Sequence, residues 1–108
     1  PATPPAPIYD LKVIGTGVVV MLNTSINRTV DVKRYAIARP DSADSGALQA
    51  LVASSLSDIL LKIDSANISI ITDTATQLIF NAEVTSNTTL LGSTTTRSYS
   101  LVYTLNQR

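Results

Sequence analysis

One stretch of this chain has a clear helical period: residues 45–63, SGALQALVASSLSDILLKI. Leu48, Leu51, Val52, Leu56, Ile59, Leu60 and Ile63 recur at i, i+3 and i+4 spacing and form one apolar stripe. Gln49, Ser54, Ser57, Asp58 and Lys62 fall largely off that stripe. Asp41, Ser42, Asp44 and Ser45 offer oxygens to the free N–H groups of the first turn, and Asp44 suits the positive end of the helix dipole. Pro40 closes whatever precedes the helix, and Lys62 complements its negative end. An amphipathic helix of about five turns is not stable alone in water and needs an apolar layer to cover. Everything around it reads as strand, so that layer is a sheet.

The strands can be placed from their alternation. Residues 8–14 form a first strand with Tyr9, Leu11 and Val13 on one face. Gly15-Thr16-Gly17 predicts a turn or bulge, and residues 18–22 an apolar strand buried on both faces. Residues 23–28 read as a polar turn and residues 29–39 as a third strand. Val30 and Val32 share one face of it and Tyr35 and Ile37 the other, which predicts a bulge near Lys33 and Arg34. After the helix, residues 67–72 form a strand with Ile68 and Ile70 on one side, and residues 73–76 a hairpin turn. Residues 77–85 alternate, with Leu78, Phe80, Ala82 and Val84 inward. Residues 86–95 read as a long loop carrying Leu90 and Leu91. Residues 96–107 form the last strand, with Arg97, Tyr99, Leu101, Tyr103 and Leu105 on one face and a mild Ser/Thr-containing face opposite. The expected fold is α+β: an antiparallel sheet of about five to six strands with one central helix packed on one face, in the order β-β-β-α-β-β-β. Residues 1–7, PATPPAP, form an extended Pro-rich arm. Residues 8–108 form a single α+β domain.

Composition narrows the chemistry. At 108 residues and 44% hydrophobic, the chain can bury a core built from Leu, Ile, Val and Ala. Lys and Arg number 8 and Asp and Glu number 8, so no strongly basic nucleic-acid protein is indicated. A neutral surface rich in Ser and Thr resists self-association weakly, which points toward assembly. Cysteine and histidine are absent, removing thiol catalysis, disulfides and the commonest general base and metal ligand. No apolar run is long enough for a transmembrane helix. A start at Pro1 is what trimming of an initiator Met before proline leaves, so synthesis in the cytoplasm without an export signal is expected.

No motif supplies the missing chemistry. Gly15-Thr16-Gly17 has no third glycine and precedes a strand, unlike a dinucleotide-binding turn. The hydroxyls have only Lys12, Lys33 or Lys62 as basic partners, none in a Ser–Lys motif. The carboxylates are scattered, with Asp41 and Asp44 read as helix caps. Asn23, Asn27, Asn67 and Asn87 each open an N-x-S/T triplet and read as turn chemistry. Arg28, Lys33, Arg34 and Arg39 lie on or beside one strand, suited to edge protection, to ion pairs between subunits or to non-specific nucleic-acid phosphates.

These absences predict a non-enzymatic structural subunit that self-assembles: a small viral or phage capsid protein of the coat, cement or decoration kind, located in the virion. Its partners would be copies of itself, a major capsid protein, and nucleic acid held non-specifically, with no membrane, cofactor, metal or small-molecule substrate. The arm, through Pro1, Pro4, Pro5 and Pro7, and the loop, through Leu90 and Leu91, are the expected subunit contacts, with Tyr99 and Tyr103 on the last strand. Both chain ends are expected to be gripped by neighbours. The alternative is a small adaptor or binding domain of a bacterial envelope or secretion complex, periplasmic or envelope-bound, tethered by the Pro-rich N-terminus.

Overall fold

The computed structural model describes residues 8–56 and 63–108. Pro1, Pro4, Pro5 and Pro7, together with Ser57, Asp58, Ile59, Leu60 and Lys62 of the predicted helix, lie outside the described residues. Five strands and one helix follow in order: β1 (Ile8–Met21), β2 (Thr24–Ala38), α1 (Ser45–Ser55), β3 (Ser65–Asp73), β4 (Gln77–Leu90) and β5 (Ser93–Gln107). The strands form one antiparallel sheet in the order β2-β1-β5-β4-β3, with one helix, as an α+β fold requires.

The core face follows from the alternation. Tyr9, Leu11 and Val13 of β1, Leu78, Phe80, Ala82 and Val84 of β4, and Tyr99, Leu101, Tyr103 and Leu105 of β5 are all buried. Leu48, Val52 and Leu56 from the helical segment cover them, with Leu51 and Ile63 packed alongside. Phe80 and Tyr103, opposite each other across β4 and β5, stack with centroids 4.8 Å apart and planes at 5°. Asp44 caps α1 by accepting from the Ala47 N–H at 3.2 Å. At the other end, Arg34 on β2 donates to the Ser54 carbonyl at 2.9 Å, bringing a cation to the negative pole of the helix.

Three expectations about local structure are corrected. The first two predicted strands run together: β1 passes through Gly15 and Gly17 without a turn. These glycines make room for β5. A Cβ on Gly15 would stand 2.1 Å from the Ser100 carbonyl oxygen, and one on Gly17 2.1 Å from Tyr99 Cδ1. The predicted loop at 86–95 is strand, because β4 runs to Leu90 and β5 starts at Ser93 around a two-residue turn. Residues 23–28, read as a turn, mostly belong to β2, which starts at Thr24. The expected bulge in β2 exists, displaced to Tyr35 and Ala36: Leu11 faces Arg34 while Tyr9 faces Ile37. Ala36 adopts φ 61° there, and its N–H donates to Asp10 Oδ1.

Length decides what the helix covers. Eleven helical residues span about 16 Å. The 15 residues of β2 or β5 span roughly 50 Å. One end of the sheet therefore has a helix on it, and the hairpin end extends beyond.

Candidate functional site

Both long hairpins, β1–β2 and β4–β5, turn at the same end of the sheet, since Met21 faces Thr95. Each closes with a two-residue turn whose first residue is a leucine at positive φ: Leu22 at 55° and Leu91 at 53°. Gly92 follows Leu91 at φ 80°. A positive φ is unfavourable for any side chain with a Cβ, and Gly, Asn or Asp is the usual occupant. Leu22 is 75% exposed and Leu91 97%. Met21, Ile26 and Leu90 beside them are also exposed. So are Val18 and Val20, which corrects the expectation that the run 18–22 is buried on both faces. Val18 and Val20 point to the face opposite the helix, and Met21 and Leu22 sit at the hairpin end, where the described residues leave them open.

Among the described residues, no helix lies on the second face of the sheet. Along β1 that face presents Lys12, Ile14, Thr16, Val18 and Val20, all exposed. Thr16, Val18, Glu83, Thr85, Ser98 and Ser100 line a shallow depression there of about 240 Å³. Ser100 donates its hydroxyl proton to Glu83 at 3.0 Å. Hydroxyls, one carboxylate and short aliphatic side chains can make contact and hydrogen bonds there, and Glu83 is the one basic group within reach of a hydroxyl among the lining residues. Among the described residues, no cluster of metal-ligating side chains forms, and no helix is long and apolar enough to cross a membrane.

The structure separates the four predicted cations. Lys33 faces Lys12 across β1 and β2 on the bare face, while Arg34 lies on the helix face and is held by Ser54. Arg28, opposite Gly17, shares the helix-side parity of β2. Arg39 lies past the end of β2. It pairs with Asp73, donates to the Thr74 carbonyl and stands 5.5 Å above the Tyr9 ring. A single phosphate-binding row of these four is therefore corrected: the alternation of β2 sends them to two faces, and two of them serve the fold.

Tyr99 and Tyr103 are likewise corrected as subunit contacts, because both are buried in the chain's own core. The Tyr103 hydroxyl is 2.6 Å from Ser55 Oγ. Burial raises the Tyr103 phenol above its ordinary value, only partly opposed by the Ser55 hydrogen bond and the nearby Arg34 charge. Arg108 has partners within the chain: its N–H donates to the Ile8 carbonyl and its Nε to Asp10 Oδ1 at 2.9 Å. Leu90 and Leu91 do stand exposed, on a tight turn. Sequence reading missed Leu22, although a leucine ending an apolar run just before Asn23 marks a turn with the wrong residue in it.

No family model, curated protein or solved structure matches this chain.

Proposed function

We propose that this chain is a non-enzymatic structural subunit that assembles with copies of itself, as a small viral or phage coat, cement or decoration protein does. The observation that carries the reading is the exposed hairpin end of the sheet. There Leu22, Leu90 and Leu91 are each more than two-thirds exposed, and Val18, Val20, Met21 and Ile26 surround them. Burying one such side chain fully is worth about 1.5–3 kcal/mol. A monomer forgoes that gain, and an assembled subunit recovers it. Leu22 and Leu91 also occupy turn positions where they raise the energy of the monomer, which favours a role outside it.

Sedimentation of the purified chain over a range of concentrations tests the reading. The expected result is a mass well above that of one copy, falling toward one copy when Leu22 and Leu91 are both replaced by Asn. A wild-type chain that stays monomeric at every concentration, alone and with nucleic acid, would end it.

A further inference from the structure

We infer that two copies pair through the exposed edge of β2, antiparallel about a two-fold axis at Thr29, into one continuous sheet. This rests on the self-assembly reading above and names the surface that performs it. β2 is a terminal strand of the sheet, 15 residues long and without proline. The opposite edge, β3, is shorter at nine residues, bulged at Ile71, and its Ala66 carbonyl accepts from Gln49 of the helix. The stretch of β2 from Thr24 to Arg34 is regular and free of proline, and such a length of edge is a template for another strand whose charges match its own.

The ladder fixes which backbone groups are available. A two-residue turn makes Met21 and Thr24 a hydrogen-bonded pair, and such pairs alternate along an antiparallel ladder. The even-numbered residues of β2 up to Arg34 therefore bond to β1. Ser25, Asn27, Thr29, Asp31 and Lys33 turn their N–H and C=O groups outward, and all five are exposed.

Self-complementarity selects the register. Facing residues must share a face, so even pairs with even and odd with odd. An axis at Arg28, Asp31 or Lys33 would set like charges directly opposed. An axis at Val30 would set both Arg28 and Arg34 against apolar side chains, Val32 and Ile26, whereas one at Thr29 leaves a single such pair, Arg28 with Val30. An axis at Val32 would match Asp31 with Lys33, but that register runs into the Tyr35–Ala36 bulge and leaves the strand's start unpaired. Thr29 is midway between Thr24, at the turn, and Arg34, at the bulge, so its axis uses the full regular length. Asn27 then meets Asp31 and Ser25 meets Lys33, each a donor facing an acceptor. On the helix side Ile26, 44% exposed in one copy, covers Val32 of the other. Both helices fall on the same side of the joined sheet, and the bare face doubles in width.

The chain has no cysteine, so Thr29→Cys creates a single thiol. Facing Cα atoms in such a ladder lie about 4.5–5.5 Å apart, within disulfide range. Mild oxidation should give a covalent dimer in high yield, and Asn67→Cys on β3 should not. Thr29→Lys, at an exposed site, should leave the circular dichroism spectrum unchanged and weaken dimerisation at least tenfold. If wild-type chains associate but Thr29→Cys stays uncrosslinked and Thr29→Lys associates normally, the β2 pairing is wrong while self-assembly stands. If the wild type never exceeds one copy, both are wrong.

Discussion

Two residues carry the clearest conflict between local preference and position. Leu22 and Leu91 hold backbone angles that suit glycine or asparagine, and both point into solvent. The left-handed conformation costs a residue with a Cβ about 1–2 kcal/mol. Leu91→Asn should therefore stabilise the isolated subunit by about 1 kcal/mol in urea unfolding, under conditions where it is dissociated, while reducing its association. Tyr103 supplies a second residue-scale prediction. Its phenol is held protonated by burial, so the folded form resists deprotonation above the ordinary value of 10.0 and the unfolded form does not. Stability is thus intact below pH 10 and declines as pH rises from there toward the folded value. Tyr103→Phe should flatten that alkaline decline in a pH series of thermal melts, at the cost of the Ser55 hydrogen bond. These features were unevenly legible: Tyr103 belongs to a clean alternation, but turn backbone angles have no signature when the turn residue is leucine.

At the scale of elements, alternation was the reliable guide and residue character the unreliable one. The core positions of β1, β4 and β5 were all readable because period two survives along each strand. Gly15 and Gly17 read as a turn because glycine usually marks one, yet here they give β5 room to approach. Gly15→Ala should cost at least about 2 kcal/mol, since the obstacle is backbone at Ser100 and cannot swing aside. A thermal melt checks this, and a loss under 0.5 kcal/mol would contradict the packing described. The stretch 86–95 read as loop because Ser, Thr and Asn dominate it, but threonine is also a strand former. Its inward position Ser86 is buried but polar, so no apolar alternation reveals the strand there. Of the predicted five-turn helix, Ser45 to Ser55 is helical and Arg34 donates to the Ser54 carbonyl, while Lys62 lies outside the described residues.

For the whole molecule, the α+β class followed from one amphipathic helix among alternating strands, and the sheet order did not. Two hairpins could have packed in several ways, and only the β1–β5 ladder, from Tyr9 facing Gln107 to Met21 facing Thr95, makes them one sheet. The scattered cations show the same limit. Closeness along β2 suggested a patch, and the alternation of a strand dispersed it.

The β1–β5 ladder has a kinetic meaning as well. It joins the first described strand to the last, so until β5 forms only the flanking hairpins β1–β2 and β3–β4 have their partners. The middle of the sheet zips late, after closure of a loop nearly the length of the chain. Until then β1 offers an unpaired edge to any other nascent copy. If copies join by an outer strand, as proposed above, they must first escape being joined by an inner one, which favours rapid closure of the β1–β5 ladder over prolonged exposure of its edge.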